Sequence, residues 1–345
     1  MKNIMKNIKN NENLIETQTS KVFFNTIDPY YISGLTQADG SFFCSIEKTI
    51  KKDQTKGLTF TPVFDITVDL DSKNTLDKLQ EYFGCGKVIT KMSDHSVRYR
   101  VLNRKDLINT IIPHFKKYPV FCNKLHAFNL FTQILQLLSV KINERDLIKI
   151  ITLSVSMNTS SKRSPEDILE LSKIIGLSKT VNKIPDNLSN LTSEFNPGFL
   201  AGMIDGDGSF NITFPQNLKK AKIKPVLSLC FGLTALVLYE ESKKYLGISG
   251  ALYKANNIFV LKIANLDQIF NYVIPFMDAN PLYTKKMEHY NIWKEVCLIL
   301  KKEKNLSKSS FLKIVELAYD MNKKGKRRKL SKEEYIKIIN NFYTS

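Results

Sequence analysis

The chain has 345 residues, 43% of them hydrophobic, which suffices for the cores of two domains of ordinary size and excludes a chain that is disordered throughout. Lys and Arg number 51 against 33 Asp and Glu, and the net charge of +18 favours a polyanionic partner, nucleic acid first and an anionic membrane surface second. The sequence has no run of eighteen apolar residues, so we expect no membrane-spanning helix, and its four histidines and five scattered cysteines argue against a zinc site.

Residues 1–24 are predicted to be a flexible extension ahead of the first domain. Residues 1–20 are rich in Lys, Asn and Ile, but they have neither the apolar stretch of a signal peptide nor the Arg of a transit peptide. The whole chain has the excess of Lys, Asn, Ile, Phe and Tyr that an AT-rich genome would give. These features predict a protein encoded inside an organelle, a mitochondrion first and a chloroplast as the alternative. A bacterial or nuclear gene stays open.

The chain contains an internal repeat. Residues 31–42 read YISGLTQADGSF, and residues 199–210 read FLAGMIDGDGSF. Two later segments, residues 111–131 and 273–293, align in the same order at almost the same interval, and they match Lys124 to Lys286 among other residues. We therefore predict two copies of one unit, at 25–175 and 197–345, joined by a linker at 176–196.

Each copy predicts the same elements in chain order. A motif helix is followed by two strands around a basic turn, a helix that ends at Gly84 or Gly247, two short strands and further amphipathic helices. The fold class is therefore α+β, with two pseudo-symmetric αββαββα units, each a four-stranded antiparallel sheet backed by helices. Pro62 and Pro225 stand near the start of each second strand, which predicts an edge or a bend there.

The motif helices carry small residues on one face. Because residues four apart lie on the same side of a helix, two such faces can pack with their backbones close together. The predicted helix-interface residues are Gly34, Ala38, Gly202 and Gly206. Gly40 and Gly208 follow, where a positive φ would end each helix.

Asp39 and Asp207 precede those two glycines and fall in the last turn of each motif helix. Packing the helices together would bring both acids to one place, where like charges repel unless a cation lies between them. Carboxylate oxygens suit Mg²⁺, which can also take a phosphate oxygen, so we expect a site for Mg²⁺ or another divalent cation. Gln37 and Asp205, two residues upstream, are expected to be capping or surface residues.

At these residues the chain resembles the LAGLIDADG homing endonucleases, in the form where one chain carries both motifs. Residues 200–208 match the family's nonapeptide closely, and residues 32–40 match it more loosely. The resemblance implies a monomeric, divalent-metal-dependent endodeoxyribonuclease, encoded by a mobile intron, that makes a double-strand break in a long, pseudo-palindromic DNA target. It implies that Asp39 and Asp207 are the catalytic, metal-binding acids. Lys124 and Lys286 match the basic residues that complete the two halves of the site.

The second copy departs from the family pattern after its second strand. The family often places polar residues there, and the first copy has Asp65 and Asp69, whereas residues 231–237 read FGLTALV. The shell that organises water in the second half therefore stays an open point, while the metal-binding acids are unaffected.

Basic residues stand on or beside the predicted strands, on sheets that would form a saddle along a duplex. Such side chains can reach phosphates and guanine edges in the major groove, although each could also be a solvated surface charge. The basic run at 323–329 is expected to be a loop near the DNA, with a nuclear address or a disordered tail as alternatives. The predicted DNA-binding residues are Lys48, Lys51, Lys52, Arg98, Arg100, Lys222, Lys224, Lys254 and Lys262.

Two other functions fit the same sequence. An intron maturase would use the saddle to bind structured intron RNA and assist splicing without cutting. A sequence-specific DNA-binding protein with an inactive site would bind DNA alone, but the presence of both aspartates argues against it.

Overall fold

The computed structural model describes residues 27–50, 56–157, 163–177, 181–185, 195–215, 222–248, 253–256, 258–321 and 330–344. The predicted N-terminal extension, Lys51, Lys52, the basic run at 323–329 and much of the predicted linker lie outside the described residues. Within these ranges no helix has the length and apolar character needed to cross a bilayer.

The described residues form two units with the same order of elements. The first unit comprises α1 (Pro29–Asp39), β1 (Gly40–Ile50), β2 (Lys56–Asp69), α2 (Lys73–Phe83), β3 (Lys87–Lys91), β4 (Ser96–Val101), α3 (residues 104–117), α4 (Cys122–Leu137), α5 (Glu144–Ser156) and α6 (Pro165–Ile174). The second unit comprises α7 (Pro197–Asp207), β5 (Ser209–Thr213), β6 (Lys224–Gly232), α8 (Leu236–Tyr245), β7 (Lys254–Ala255), β8 (Ile258–Ile263), α9 (residues 266–279), α10 (Lys286–Lys302), α11 (Lys308–Met321) and α12 (Lys332–Thr344).

Each unit contains one four-stranded antiparallel sheet. The strand order is β1-β2-β4-β3 in the first unit and β5-β6-β8-β7 in the second. Helices cover one side of each sheet, where Phe42 of β1 packs against Phe115, Phe128 and Phe131. The residues that alternate with this apolar set point to the other side, which we call the open face. The predicted α+β fold, with its two helix-backed sheets, is confirmed.

The prolines of the second strands occupy places where only one neighbouring strand is paired. Pro62 precedes Phe64, where the pairing of β2 with β4 begins, and Pro225 precedes Leu227, where the pairing of β6 with β8 begins. Although β2 and β6 are inner strands over the rest of their length, the predicted edge is therefore confirmed at the prolines themselves. A proline without an N–H therefore removes no hydrogen bond to β4 or β8.

Two helices at the ends of the units are not predicted by the sequence periodicity. The first, α6, is preceded by its N-cap residue Ser164, whose side chain forms a reciprocal capping box with Asp167. The other, α12, packs Tyr335 and Ile339 against Phe311 of α11 in a small separate core. The last helix of each unit is therefore known from the structure and not from the sequence.

Helices α1 and α7 pack against each other along their small residues, and we call this contact the seam. A Cβ on Gly34 would overlap the carbonyl oxygen of Phe199 and lie 2.8 Å from its carbonyl carbon, and one on Gly202 would lie 2.6 Å from the amide nitrogen of Leu35. Real Cβ atoms do not approach backbone atoms so closely. The backbones touch here because the residues are glycines, as the spacing predicts.

The glycines after the motif acids have a different role from the one predicted. Gly40 has φ −87° and Gly208 has φ −71°, so both are extended and the prediction of a positive φ is wrong. In each unit the strand follows the helix directly, with no left-handed residue between them. Glycine is needed instead for space, because a Cβ on Gly40 would lie 2.7 Å from the Cα of Thr36 and one on Gly208 would lie 2.9 Å from Cγ2 of Ile204.

Candidate active site

The seam brings the two motif acids to the same place. Asp39 and Asp207 are the last residues of α1 and α7; Asp39 is half-buried, and Asp207 is the more exposed of the two. Oδ2 of Asp39 lies 2.9 Å from the position that a Cβ on Gly206 would occupy, so the carboxylate of the first unit lies against the helix end of the second. The predicted meeting of the two acids is therefore found in the structure.

Burial and mutual repulsion both act on these carboxylates. Burial, followed by the negative charge of Asp207, raises the pKa of Asp39 to about 6. Burial also raises the pKa of Asp207, and the charges of Lys286 and Lys124 act in the opposite direction on both acids. Above pH 6 the seam therefore holds two carboxylates whose charges are incompletely balanced by the protein.

Lys124 and Lys286 lie at the same place in the two units. Nζ of Lys124 donates to the carbonyl oxygen of Gly40, and Nζ of Lys286 donates to the carbonyl oxygens of Gly206 at 2.7 Å and Ile204 at 3.1 Å. Burial lowers the pKa of both lysines, while the two motif aspartates act to raise it. Each ammonium group is thus held at the end of a motif helix, within reach of the acids' electric field.

Asp205 is a buried anchor, so the expectation of a surface residue is wrong. Its side chain accepts hydrogen bonds from the hydroxyls of Tyr31 and Thr284 and from the amides of Tyr283, at 2.7 Å, and Thr284, at 2.9 Å. The residue is 3% exposed. Asp205 therefore fixes the segment that leads into α10, the helix on which Lys286 lies.

Gln37 has the equivalent task in the first unit. Its Oε1 accepts from the amide of Phe121 at 2.8 Å, directly before α4 and Lys124. Neither α4 nor α10 has a side-chain cap hydrogen bond, so both residues anchor the segment before a helix and do not cap it. Tyr31 reaches Asp205 from the first unit, so the anchor of α10 also crosses the seam.

The donor set at the seam fits a hard divalent cation. Among the described residues there is no group of three or more His, Cys, Asp or Glu side chains that could hold a metal ion. Two carboxylates are nevertheless the usual protein contribution to a Mg²⁺ site, because this ion keeps several waters and binds substrate phosphates. Asp39 and Asp207, with their repelling charges and no third carboxylate, match that pattern.

The structure divides the predicted DNA-binding residues between the two sides of the sheets. Arg98, Arg100, Lys224 and Lys262 alternate with the apolar residues that the helices cover and therefore belong to the open face, and exposed Lys222 precedes β6. Lys48 and Lys254 are in register with the covered side, and they are not part of the open face. The ammonium of Lys48 pairs there with Glu170 of α6.

Removing one charge from the seam should stabilise the protein in the absence of metal. The folded state holds a proton on Asp39 up to about pH 6, whereas an unfolded aspartate loses it near pH 3.8, so stability falls as the pH rises through this window. We expect Asp39→Asn to raise the free energy of unfolding in EDTA at pH 8 by about 2 kcal/mol, a value discounted for partial exposure. Denaturant titrations at pH 8 and pH 3.5 measure this difference, which should vanish at the lower pH. An equal effect at both values would contradict the repulsion.

Solved structures of I-SmaMI share this fold. Its complex with cleaved DNA matches with a TM-score of 0.76 and 25% identity over 86% of this chain and 98% of that one. Its complex with an uncleaved DNA target in the presence of calcium ions gives a TM-score of 0.74 at 25% identity, over 86% of this chain and 99% of that one. The duplicated fold with two acids at the seam is thus that of a single-chain meganuclease.

The family is shown by the sequence as a whole. The LAGLIDADG endonuclease model matches residues 32–135 and 200–297, more than half of the chain, and the chain belongs to this family. The predicted resemblance and the prediction of an endonuclease are confirmed. "Probable intron-encoded endonuclease 2" of Neurospora crassa is 28% identical over 88% of this chain and 67% of its own length. "Probable intron-encoded DNA endonuclease 1" of Mycosarcoma maydis is 25% identical over 75% of this chain and 96% of its own length.

Proposed function

We propose that this protein is a site-specific homing endonuclease that hydrolyses both strands of a long, pseudo-palindromic DNA duplex with the help of divalent cations, Mg²⁺ by preference. The observation that carries the proposal is the pair of carboxylates that meet at the seam, between two sheets whose open faces carry arginines and lysines. The DNA-bound states of I-SmaMI support double-stranded DNA as the partner.

In this proposal Asp39 and Asp207 would hold the cations at the seam through their carboxylate oxygens. When bound, a divalent cation activates a water and offsets the charge that develops on the phosphate. The field of Lys124 and Lys286 at the same place favours an approaching phosphate and the charge of the transition state. Because the helices that carry these acids pack with their backbones in contact, the site is assembled before DNA binds.

The open faces provide binding and sequence selection. Arg98, Arg100, Lys224 and Lys262 are placed for contacts to phosphates or to base edges in the major groove. Their positions differ between the two units, so the two half-sites of the target are expected to be related but not identical. A protein that carries both motifs in one chain can act on such a target as a monomer.

Metal binding can be tested without DNA. We expect Mg²⁺ to raise the Tm of the wild-type protein by a few degrees at pH 8, because the cation binds the folded state alone and relieves the repulsion at the seam. Asp39→Asn and Asp207→Asn should each lose most of this shift. Asp77→Asn, which changes an exposed carboxylate paired with Lys73 away from the seam, serves as the matched control and should keep it. A full shift in both seam variants would place the cation elsewhere.

We also propose an origin for the gene. The composition fits an AT-rich organelle genome, and the relatives in Neurospora crassa and Mycosarcoma maydis are described as intron-encoded. We therefore place the reading frame inside a mitochondrial intron. Its position in the genome is the direct check, and the joined flanking exons would be the first candidate target.

A further inference from the structure

The open face of the first unit holds a hydrogen-bonded group beside Asp39. Asp65 stands opposite the strand residue two positions after Asp39, and its carboxylate accepts from Nη2 of Arg100 at 2.8 Å. Next to it, Oγ1 of Thr67 accepts from Nε of Arg98 at 3.0 Å. We call Asp65, Thr67, Arg98 and Arg100 the Asp65 cluster. The two arginines balance the charge of Asp65, which is 7% exposed, and hold the group in one arrangement.

The second unit has no such group beside Asp207. The strand register assigns equivalent places without ambiguity, because each motif acid is followed by a strand that pairs in the same way with its neighbour. The residues that occupy these places form no hydrogen-bonded polar cluster. One of the two cross-strand pairs, Cys230 with Val260, joins a thiol to an apolar side chain. The pairs Asp65–Arg100 and Thr67–Arg98 of the first unit correspond to Ser228–Lys262 and Cys230–Val260 of the second, and Asp69 corresponds to Gly232.

The difference extends to the two lysines of the candidate site. The charge of Asp65 acts on Lys124 and that of Asp69 acts on Lys286, in each case opposing the fall in pKa that burial causes. The equivalent residues in the second unit, Ser228 and Gly232, have no charge. Asp205 of α7 acts on Lys286 more strongly than Asp69 does, but it is buried and hydrogen-bonded. On the open faces, strand β2 of the first unit supplies two carboxylates that act on these lysines, and β6 supplies none.

We infer that the two DNA strands are cut in a fixed order, with the first cut made in the half of the site served by the Asp65 cluster. This inference rests on the proposed endonuclease function and deepens it. In each cut a bond forms between the oxygen of a water and the phosphorus, the bond from phosphorus to the leaving sugar oxygen breaks, and a proton from the water ends on that oxygen. Water and phosphate must be held in one geometry for this step, since a misplacement of 1 Å costs about a hundredfold in rate.

The side chains of the Asp65 cluster are suited to that task as positioning residues. Thr67 and Asp65 offer acceptors to a water. The side chain of Arg98 is 38% exposed, and because it uses Nε to bind Thr67, its two terminal nitrogens can donate to a phosphate. Cys230, Val260 and Gly232 offer neither a strong acceptor nor a cationic donor. The half at Asp207 has Ser228 and Lys262 at the places of Asp65 and Arg100, but it has no carboxylate paired with an arginine.

The test follows each strand separately. A supercoiled plasmid carries the target, taken from the joined exons or selected from a randomised duplex library, and the strands bear different end labels after linearisation. For the wild-type protein with Mg²⁺ we expect nicked circles to accumulate, with the same strand always cut first and about tenfold faster. Equal rates for the two strands would overturn the inference while leaving the endonuclease intact. Failure to cut any member of the library would instead refute the proposed function.

A gain-of-function variant distinguishes an effect on the positioning of water and phosphate from an effect on folding. The double variant Cys230→Thr, Val260→Arg installs one row of the cluster in the second unit, and we expect it to accelerate the slower cut and reduce the ratio of the two rates at least about threefold. The reciprocal variant Thr67→Cys, Arg98→Val should slow the faster cut and reduce the ratio as well. A general folding defect would slow both cuts and leave their ratio unchanged.

Because Val260→Arg also adds a positive charge, a control variant must add the same charge without building the cluster. Thr213→Arg places the same charge on the exposed outer end of β5, further from Asp207 on the same sheet. It should strengthen DNA binding at low salt and leave the ratio of the two rates at the wild-type value. If Thr213→Arg reduced the ratio as much as the gain-of-function variant, net charge and not the cluster would set the order of cutting.

Discussion

Replacing Asp39 or Asp207 with asparagine is expected to abolish double-strand cleavage while leaving DNA binding almost unchanged. Asparagine keeps the shape of the side chain but removes the charge that holds a divalent cation, so the rate should fall on the order of 10³-fold or more. Binding relies on the open faces, which these substitutions do not touch. Gel shifts in Ca²⁺ and cleavage of a labelled duplex in Mg²⁺ measure the two properties separately.

The control for this pair is again Asp77→Asn, which removes an exposed carboxylate from α2. It should cleave like the wild type, which would show that losing any one carboxylate is not enough to abolish cleavage. Because the acids come from different units, each single variant can retain slow nicking of one strand, whereas the double variant should show no cleavage at all. Wild-type cleavage by either single variant would refute the assignment of the site.

The acids and the seam could be predicted because their signals are local. The small residues, the acid and the following glycine all lie within twelve consecutive residues, and the helical period converts their spacing into a shared face. The repeat then showed that both copies keep this pattern. Even so, the local signal gave the wrong backbone at Gly40, because an Asp-Gly pair does not reveal that a strand begins without an intervening turn.

Asp205 could not be predicted, because its partners are distant in the chain. Tyr31 lies 174 residues before it, and Thr284 lies 79 residues after it. One signal was present in the repeat: Gln37 and Asp205 are both hydrogen-bonding residues two positions before a motif acid. Polar residues at equivalent positions of two motif helices indicate a shared structural task, here the anchoring of α4 and α10.

The Asp65 cluster shows that strand register gives the face of the sheet on which each side chain lies, which composition does not give. Counting basic residues on strands placed Lys48 and Arg98 in the same class, but pairing puts Lys48 on the covered side and Arg98 on the open face next to Thr67. A shift of one residue reverses the face of every side chain in a strand. The DNA-binding residues could therefore be predicted only as a set, and their division between two unequal halves needed the structure.

Gly34→Ala is expected to have the largest effect on the fold, because a single added methyl would separate the two units. The new Cβ would overlap the carbonyl oxygen of Phe199, an atom of a helix backbone that cannot rotate away. We expect the free energy of unfolding to fall by about 3 kcal/mol or more. Cleavage should be lost as well, since displaced helices no longer bring Asp39 and Asp207 together.

A second glycine distinguishes damage to the seam from loss of stability in general. Gly84 ends α2 with φ +63° in open space, so Gly84→Ala costs about 1–2 kcal/mol through backbone strain and touches nothing at the seam. This variant should therefore unfold earlier than the wild type but cut DNA normally at 25 °C, whereas Gly34→Ala should fail to cut even where it remains folded. If Gly34→Ala retained cleavage in proportion to its folded fraction, close contact of the two helix backbones would not be what positions the acids, and the geometric basis of the active site would have to be sought in the anchors of α4 and α10 instead.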